Sequence, residues 1–285
     1  MREASVQCFS PSGLHRMAYV EWGEPDNDRV LLCVHGLTRC ARDFDFLAQA
    51  MCRDYRVVCP DVVGRGRSDW LKDKSHYVVP QYVADMVTLL ARLNAQTVHW
   101  VGTSMGGLIG MGLAAQENTP IGRMVLNDVG PSLTAVSLKR ICEYLGAAPR
   151  FDSMAQAEAL VRAVSQPFGD LNDAQWRHLT EHVVRTAADG KIEFRYDPGI
   201  AEASQRTLEQ SQGKDIELWP LYDAIRCPTL VLRGADSDLL LPETVAKMAT
   251  RGPRAHCVEI PGVGHAPMLL DQAQIEVVKD FLLAS

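Results

Sequence analysis

A serine flanked by glycines is the feature of this sequence best suited to chemistry. It lies in residues 102–107, GTSMGG, which follow an apolar β-branched run and precede a helix-like segment. This order predicts a sharp strand-to-helix turn with Ser104 at its tip, and the small neighbouring residues permit the close backbone approach that such a turn needs. We therefore expect Ser104 to present its hydroxyl at the carboxyl edge of a sheet, as the nucleophile of an acyl transfer.

A histidine near the end of the sequence is suited to act as the general base. His265 lies in residues 262–267, GVGHAP, between a strand-like run and the last helix-like segment. An imidazole titrates near neutral pH, so it can take a proton from a serine hydroxyl and pass it to a leaving group. Because its loop is built of small residues and follows a late strand, we predict that His265 is the base for Ser104.

The acid that orients the histidine has three candidates. Residues 233–242, RGADSDLLLP, supply Asp236 and Asp238 after a strand-like run, and Asp128 follows an earlier run. One of these carboxylates must accept a hydrogen bond from the imidazole, fixing its tautomer and stabilising the imidazolium. We predict Asp238 as the acid and keep Asp236 and Asp128 as alternatives.

Two backbone amides are needed to hold the oxyanion that forms when a serine attacks a carbonyl. One is expected from Met105, the residue after the nucleophile. The other is expected from residues 34–38, VHGLT, directly after a buried strand-like run. Leu37 is the predicted donor there, because Gly36 lets the backbone turn toward the site.

Short β-branched runs alternate with longer helix-like segments, which predicts an α/β protein whose mostly parallel sheet has helices on both faces. Strands are predicted at 5–9, 16–22, 30–34, 56–60, 97–102, 123–128, 228–233 and 256–260, and helices at about 42–53, 80–94, 105–116 and 270–283. Between 131 and 215 helical patterns replace the strand-like runs. We predict a core of residues 1–130 and 216–285 that carries a helical cap of residues 131–215.

Together these landmarks resemble those of the α/β-hydrolase fold superfamily. They are the His35-Gly36 loop, residues 61–68 (DVVGRGRS), the turn at 102–107, the aspartate loop at 233–242 and Gly264-His265. The resemblance implies an eight-stranded, mostly parallel α/β-hydrolase sheet with a helical cap inserted after the sixth strand. Members often place the acid four residues before a proline, as Asp238 stands before Pro242. Another common place, three residues after Gly234, holds Ser237 here.

The resemblance also implies a reaction class. Ser104 stands where epoxide hydrolases and haloalkane dehalogenases carry an aspartate, so we expect a capped serine hydrolase, acting on a small carboxylic ester or lactone. Two alternatives stay open: a carbon–carbon bond hydrolase of aromatic catabolism, and a ligand-sensing protein of slow turnover. Two residues are candidate substrate contacts: Arg39, which directly follows the predicted oxyanion loop (residues 34–38), and Trp176, in the cap.

The composition argues against several other classes. The net charge of -6 is unsuited to a nucleic-acid binder. No apolar run approaches the roughly 20 residues that cross a bilayer, and no secretory signal follows the start. Eight scattered cysteines predict free thiols and a cytoplasmic protein. Neither metal-ligand spacing nor a nucleotide-binding glycine pattern is present, so we expect no cofactor, and the oligomeric state stays open.

Overall fold

The computed structural model describes residues 1–284, and its main elements follow the predicted alternation. The strands are β1 (Arg2–Ser10), β2 (Gly13–Trp22), β3 (Val30–Val34), β4 (Arg56–Pro60), β5 (Val98–Thr103), β6 (Ile121–Asn127), β7 (Ser132–Leu133), β8 (Arg150–Phe151), β9 (Val184–Thr186), β10 (Ile192–Phe194), β11 (Ile216–Glu217), β12 (Thr229–Gly234) and β13 (His256–Ile260). The α-helices are α1 (Asp45–Met51), α2 (Val79–Leu93), α3 (Met105–Ala114), α4 (Ala135–Tyr144), α5 (Met154–Val164), α6 (Asp173–Val183), α7 (Ile200–Ser211), α8 (Trp219–Ala224), α9 (Pro242–Met248) and α10 (Gln272–Leu283). Short 3-10 helices lie at Ala41–Phe44, Lys74–His76 and Gln166–Phe168.

One large sheet contains eight of these strands, in the order β1-β2-β4-β3-β5-β6-β12-β13. Strand β2 runs antiparallel to both of its neighbours, and every pairing from β4 to β13 is parallel. The predicted eight-stranded, mostly parallel sheet is confirmed. Because parallel strands end at the same edge, the loops after β3, β5, β6, β12 and β13 lie close together, and these loops carry the predicted site residues.

The central strands of this sheet are covered on both faces. All five residues of β3 are buried. Leu32 belongs to an apolar cluster that includes residues of α2 and α3, whereas Leu31 and Cys33 belong to a second cluster that includes residues of α1 and α10. Successive side chains of a strand point to opposite faces, so a continuous apolar run is what a doubly covered strand requires.

The chain leaves the large sheet after β6 and rejoins it at β12. The intervening segment contains helices, as predicted, and also short strands that were not predicted. Strands β8, β10 and β9 form a three-stranded antiparallel sheet, and β7 pairs with β11 where the segment begins and ends. Runs of two or three residues are too short to show an alternating pattern, which explains the omission. A separate cap of residues 131–215 stays a prediction.

Two further features concern the predictions about membrane spans and cysteines. Within residues 1–284, none of the helices combines the length and apolar character needed to span a membrane. The eight cysteines are all free, and Cys33 and Cys59 are fully buried.

Candidate active site

Ser104 occupies the turn between β5 and α3. Its φ of 52° and ψ of -117° lie outside the regions that residues other than glycine ordinarily adopt. The turn is held by hydrogen bonds, because the Ser104 amide donates to the Asn127 carbonyl at 3.0 Å and the Gly107 amide donates to the Ser104 carbonyl at 2.8 Å. The structure therefore contains the sharp strand-to-helix turn that the glycine pattern predicts.

Close backbone contacts require two of the glycines beside Ser104. A Cβ atom at Gly106 would lie 1.9 Å from the Val34 carbonyl oxygen, and one at Gly102 would lie 2.4 Å from the Gly106 carbonyl carbon. The opposing atoms are backbone, so turning a side chain could not relieve either contact. Since Val34 ends β3, glycine at position 106 lets α3 pack directly against the end of that strand.

Gly106→Ala is expected to lower the free energy of unfolding by about 3 kcal/mol, because β3 and α3 would have to separate. Gly112→Ala is the matched control in the same helix, where the new methyl would meet only the Val83 side chain, at 3.0 Å. Urea unfolding of both variants and of the wild type measures the difference. Equal stability of Gly106→Ala and the wild type would contradict this packing.

Three side chains form a hydrogen-bonded chain at the carboxyl edge of the sheet. His265 Nε2 lies 2.9 Å from Ser104 Oγ, and His265 Nδ1 lies 2.7 Å from Asp128 Oδ2. The Asp128 side chain is fully buried, whereas the His265 side chain is 21% exposed. Asp128 also accepts hydrogen bonds from the Gly234 amide at 2.8 Å and the Ser237 hydroxyl at 2.6 Å. This arrangement suits an imidazole protonated on Nδ1, with Nε2 able to accept the Ser104 proton.

The prediction of Asp238 as the acid has to be corrected. The Asp238 side chain is 59% exposed and pairs with Arg140 at 2.9 Å. Asp236 is exposed as well. The carboxylate beside His265 is that of Asp128, the third of the candidates that the sequence offers.

Strand order explains why Asp128 can take this place. Strand β6 lies next to β12, and the Asp128 amide, directly after β6, donates to the Leu232 carbonyl of β12 at 2.8 Å. The two strand ends therefore bring their following loops to the same point beside His265. Ser237, which stands where relatives often carry the acid, donates its hydroxyl to Asp128 instead. The serine at 237 was the sequence signal in favour of Asp128.

The amides of Leu37 and Met105 lie on the two segments that meet at Ser104. Met105 is the first residue of α3, so its amide has no acceptor within the helix. A Cβ atom at Gly36 would lie 3.7 Å from Ser104 Cβ, so the loop that carries Leu37 runs beside Ser104. In the part of the chain that the structure describes, neither amide donates to a backbone carbonyl. Their role as oxyanion donors stays a prediction.

His35 holds the peptide that carries the Leu37 amide. Its Nδ1 donates to the Gly36 carbonyl at 2.7 Å, and its Nε2 accepts from the Val62 amide at 2.9 Å. Burial lowers the pKa of His35 to about 3, so the ring is neutral near pH 7. Because the Gly36 carbonyl and the Leu37 N–H belong to one planar peptide, fixing the carbonyl also fixes the direction of the N–H.

Acidification is expected to destabilise the fold through His35. The unfolded chain takes up a proton at this residue below about pH 6.5, whereas the lowered pKa delays uptake in the folded chain to about pH 3. Between these values the unfolded state binds more protons, so the free energy of unfolding decreases as the pH is lowered. This residue contributes up to about 1.4 kcal/mol per pH unit to that decrease.

Urea unfolding of the wild type and of His35→Gln across this pH range tests the effect. We expect a shallower pH dependence in His35→Gln, because glutamine does not titrate. The buried histidines elsewhere are common to both proteins. Parallel pH profiles for the two proteins would argue against a neutral, buried His35.

The two candidate substrate contacts differ in their placement. Arg39 lies beside the site, since a Cβ atom at Gly36 would lie 3.8 Å from Arg39 Cγ. Its guanidinium donates to the two Asp43 carboxylate oxygens at 2.8 and 2.7 Å and lies 5.6 Å from the centre of the Phe168 ring. Trp176 instead is buried in an apolar cluster that joins the inserted segment to Cys40, Met268 and Leu270 of the core. Its role as a substrate contact stays a prediction.

Two clusters of side chains within residues 1–284 have the spacing of metal ligands, and neither includes Asp128 or His265. They are Cys8, His15 and Asp85, and Asp45, His178 and His182. His15 Nε2 lies 3.0 Å from Asp85 Oδ2, and the Asp45 carboxylate accepts hydrogen bonds from Arg42. The acidic group of each cluster thus already has a protein partner.

Asn127 and Arg65 support the site, although no role was predicted for either residue. Asn127 Nδ2 donates to Thr103 Oγ1 at 2.9 Å and to the Pro267 carbonyl at 2.7 Å, joining the serine turn to the histidine loop. Arg65 is fully buried and its Nε donates to the Leu37 carbonyl at 2.7 Å. The place of Asn127 at a strand end was a usable signal, whereas nothing in the sequence distinguished Arg65 from an exposed arginine.

Known proteins resemble this chain in sequence and in structure. Residues 31–280 match the sequence model of the family described as "Alpha/beta hydrolase family". The 3-hydroxybutyrate-oligomer hydrolase of Cupriavidus necator is 52% identical over 280 residues, which cover 97% of this chain and 96% of that protein. A Rickettsia typhi protein of solved structure is 32% identical, with a TM-score of 0.92 over 100% of both chains. An alpha/beta hydrolase from Novosphingobium aromaticivorans is 35% identical, with a TM-score of 0.85 over 98% of each chain.

These similarities cover all the segments that form the site. The family match begins within β3 and ends within α10, so it includes the oxyanion loop, the serine turn and the histidine loop. The matched structures share the complete arrangement of the chain rather than one motif. This chain therefore belongs to the alpha/beta hydrolase family.

Proposed function

We propose that this hydrolase cleaves carboxylic esters through an acyl-serine intermediate. The observation that carries the proposal is the hydrogen-bonded chain from Asp128 through His265 to Ser104, with separations of 2.7 and 2.9 Å. A nucleophile within reach of a base, which a third group orients, is the arrangement of an activated serine. The 52% identity to a 3-hydroxybutyrate-oligomer hydrolase supports the same reaction class.

In the first step, Ser104 Oγ attacks the ester carbonyl carbon while His265 Nε2 takes the hydroxyl proton. The carbonyl oxygen becomes an oxyanion that accepts hydrogen bonds from the Leu37 and Met105 amides. The Asp128 side chain accepts the hydrogen bond from Nδ1 and stabilises the imidazolium. Collapse of the tetrahedral intermediate breaks the ester C–O bond, and His265 gives its proton to the departing alcohol.

In the second step, a water molecule hydrolyses the acyl-serine ester. His265 Nε2 takes a proton from the water as its oxygen attacks the acyl carbon, and the same two amides hold the second oxyanion. Collapse releases the carboxylic acid, and Ser104 Oγ recovers its proton from His265. Both steps use water and groups of this chain alone.

We further propose that the substrate is a small ester of a hydroxy acid. Phe168, from the inserted segment, lies against the Arg39 guanidinium of the core. The neighbouring Pro167 carbonyl accepts a hydrogen bond from the Gly264 amide at 2.7 Å, which anchors this part of the segment beside His265. An ester with a free carboxylate could place its carbonyl at Ser104 and its carboxylate at Arg39. A linear oligomer of 3-hydroxybutyrate has both groups.

Arg39→Gln is expected to raise KM for the linear 3-hydroxybutyrate dimer about tenfold while leaving KM for p-nitrophenyl butyrate within about twofold. The dimer would lose a charge-assisted hydrogen bond to its carboxylate, whereas the neutral ester has no such group. Steady-state kinetics on both substrates measure the difference, and thermal unfolding checks that Asp43, left without its partner, does not destabilise the fold. A rise in KM of the same size for both esters would contradict a contact with the carboxylate.

A substrate panel tests the proposed reaction class. It contains the 3-hydroxybutyrate dimer, a butyrolactone, short p-nitrophenyl esters and a vinylogous diketone from aromatic ring cleavage. We expect the esters to turn over faster than about 1 per second, within the ordinary range of enzymes. Preference for the diketone would favour a carbon–carbon bond hydrolase. Saturable binding with turnover far below that rate on every ester would favour a ligand-sensing protein.

A further inference from the structure

Arg65 places a fully buried guanidinium behind the oxyanion loop. Its Nε donates to the Leu37 carbonyl at 2.7 Å, and its Nη2 lies 3.5 Å from Met105 Sδ. Its Nη1 donates to the Val63 carbonyl at 2.8 Å and to the Tyr82 hydroxyl at 2.9 Å. The guanidinium therefore contacts both residues whose amides are the proposed oxyanion donors.

The positive charge of Arg65 has no acidic partner among residues 1–284. Asp61, four residues earlier, accepts hydrogen bonds from the amides of Ala41 and Arg67 instead. The groups around the Arg65 guanidinium are two carbonyls, the Met105 thioether, the Tyr82 hydroxyl and two aromatic rings. The ring centres of Tyr82 and Tyr77 lie 4.9 and 5.7 Å from the guanidinium carbon. Burial of an unpaired cation is unfavourable for folding. The position therefore favours a role that uses the charge itself.

We propose that Arg65 is a positioning residue of the oxyanion site that also directs positive charge toward the transition state. The proposal rests on the serine mechanism proposed above. Arg65 holds the Leu37 carbonyl, and His35 holds the carbonyl of Gly36. The Leu37 amide lies between these two carbonyls, so the loop is fixed on both sides of the donor.

The charge acts when the substrate carbonyl oxygen becomes negative. A guanidinium bonded to the Leu37 carbonyl lies roughly 7 Å from an oxygen bonded to the Leu37 amide. At an effective dielectric constant of about 20, unit charges at that separation change a rate constant roughly 50-fold. The ground-state ester is neutral and gains little from the cation, so the effect falls on kcat rather than on KM.

The test compares Arg65→Gln, Arg65→Lys and Tyr82→Phe in the full-length chain. Glutamine keeps a hydrogen-bond donor without the charge, and lysine keeps the charge. Tyr82→Phe removes one hydrogen bond of Arg65 while leaving its charge and its bond to Leu37. Each variant is measured for kcat and KM on p-nitrophenyl butyrate and for the affinity of an alkylboronic acid, which forms a tetrahedral anion on a reactive serine. Urea unfolding measures stability in parallel.

We expect Arg65→Gln to lower kcat and boronic acid affinity roughly 50-fold each, with KM within about twofold. Arg65→Lys and Tyr82→Phe should keep both quantities within about fivefold. Unchanged kcat and boronic acid affinity in a folded Arg65→Gln protein would overturn the proposal. If Arg65→Gln does not fold, Arg65→Met takes its place, because an apolar side chain leaves no buried amide unsatisfied. A loss of roughly 50-fold in boronic acid affinity then supports the proposal, and unchanged affinity overturns it.

Failure of the serine mechanism would look different. In that case the wild type would not bind the boronic acid at Ser104, and Ser104→Ala would turn over esters like the wild type. That result overturns both proposals. Boronic acid binding at Ser104 together with an unaffected Arg65→Gln protein overturns the role of Arg65 alone.

Discussion

Asp128→Asn is expected to lower kcat for ester hydrolysis about 10⁴-fold. Asp128 Oδ2 lies 2.7 Å from His265 Nδ1 in a fully buried position. Asparagine would fill the same space but could not stabilise the imidazolium. Its amide could also donate to Nδ1, which would leave the ring proton on Nε2 facing Ser104. The serine would then lack an acceptor for its own proton.

Asp238→Asn is the matched control for this prediction. Asp238 is exposed and pairs with Arg140, so we expect its kcat to stay within about twofold of the wild type. Initial rates on p-nitrophenyl butyrate near neutral pH measure both variants, and urea unfolding shows whether the buried Asp128→Asn protein remains folded. Loss of turnover in Asp238→Asn with retention in Asp128→Asn would reverse the assignment of the acid.

Ser104→Ala is expected to lower kcat about 10⁶-fold, because it removes the atom that carries the acyl group. The residual rate would come from binding and from the oxyanion donors. The change removes one oxygen at the surface of the turn, so folding should be retained. Turnover of p-nitrophenyl butyrate and binding of an unreactive amide analogue separate the two effects. Analogue binding similar to that of the wild type, with turnover absent, is the expected result.

The large sheet could be predicted because its central strands are buried on both faces. The run from Val30 to Val34 is apolar throughout, and each of its residues packs against helices on one face or the other. The serine turn could be predicted because the approach of α3 to β3 leaves no room for a Cβ atom at Gly106. In both cases a local sequence pattern is required by the packing around it.

The acid could not be assigned securely because its position depends on which strands are neighbours. Asp128 and Asp238 follow different strands, and only the pairing of β6 with β12 shows that Asp128 reaches the histidine loop. The short strands of the inserted segment were missed because each has no more than three residues. Arg65 was missed because its burial arises from contacts with the distant Leu37 loop and with Tyr82.

The proposed reaction passes through an acyl group on Ser104, and mass spectrometry can observe that group directly. The wild type is mixed with p-nitrophenyl butyrate, quenched in acid within the first turnovers and digested, and the peptide that has gained a butyryl group is sequenced. We predict a single butyryl group on Ser104, absent from Ser104→Ala. A butyryl group on another residue, or rapid hydrolysis without any acylated peptide, would contradict the mechanism.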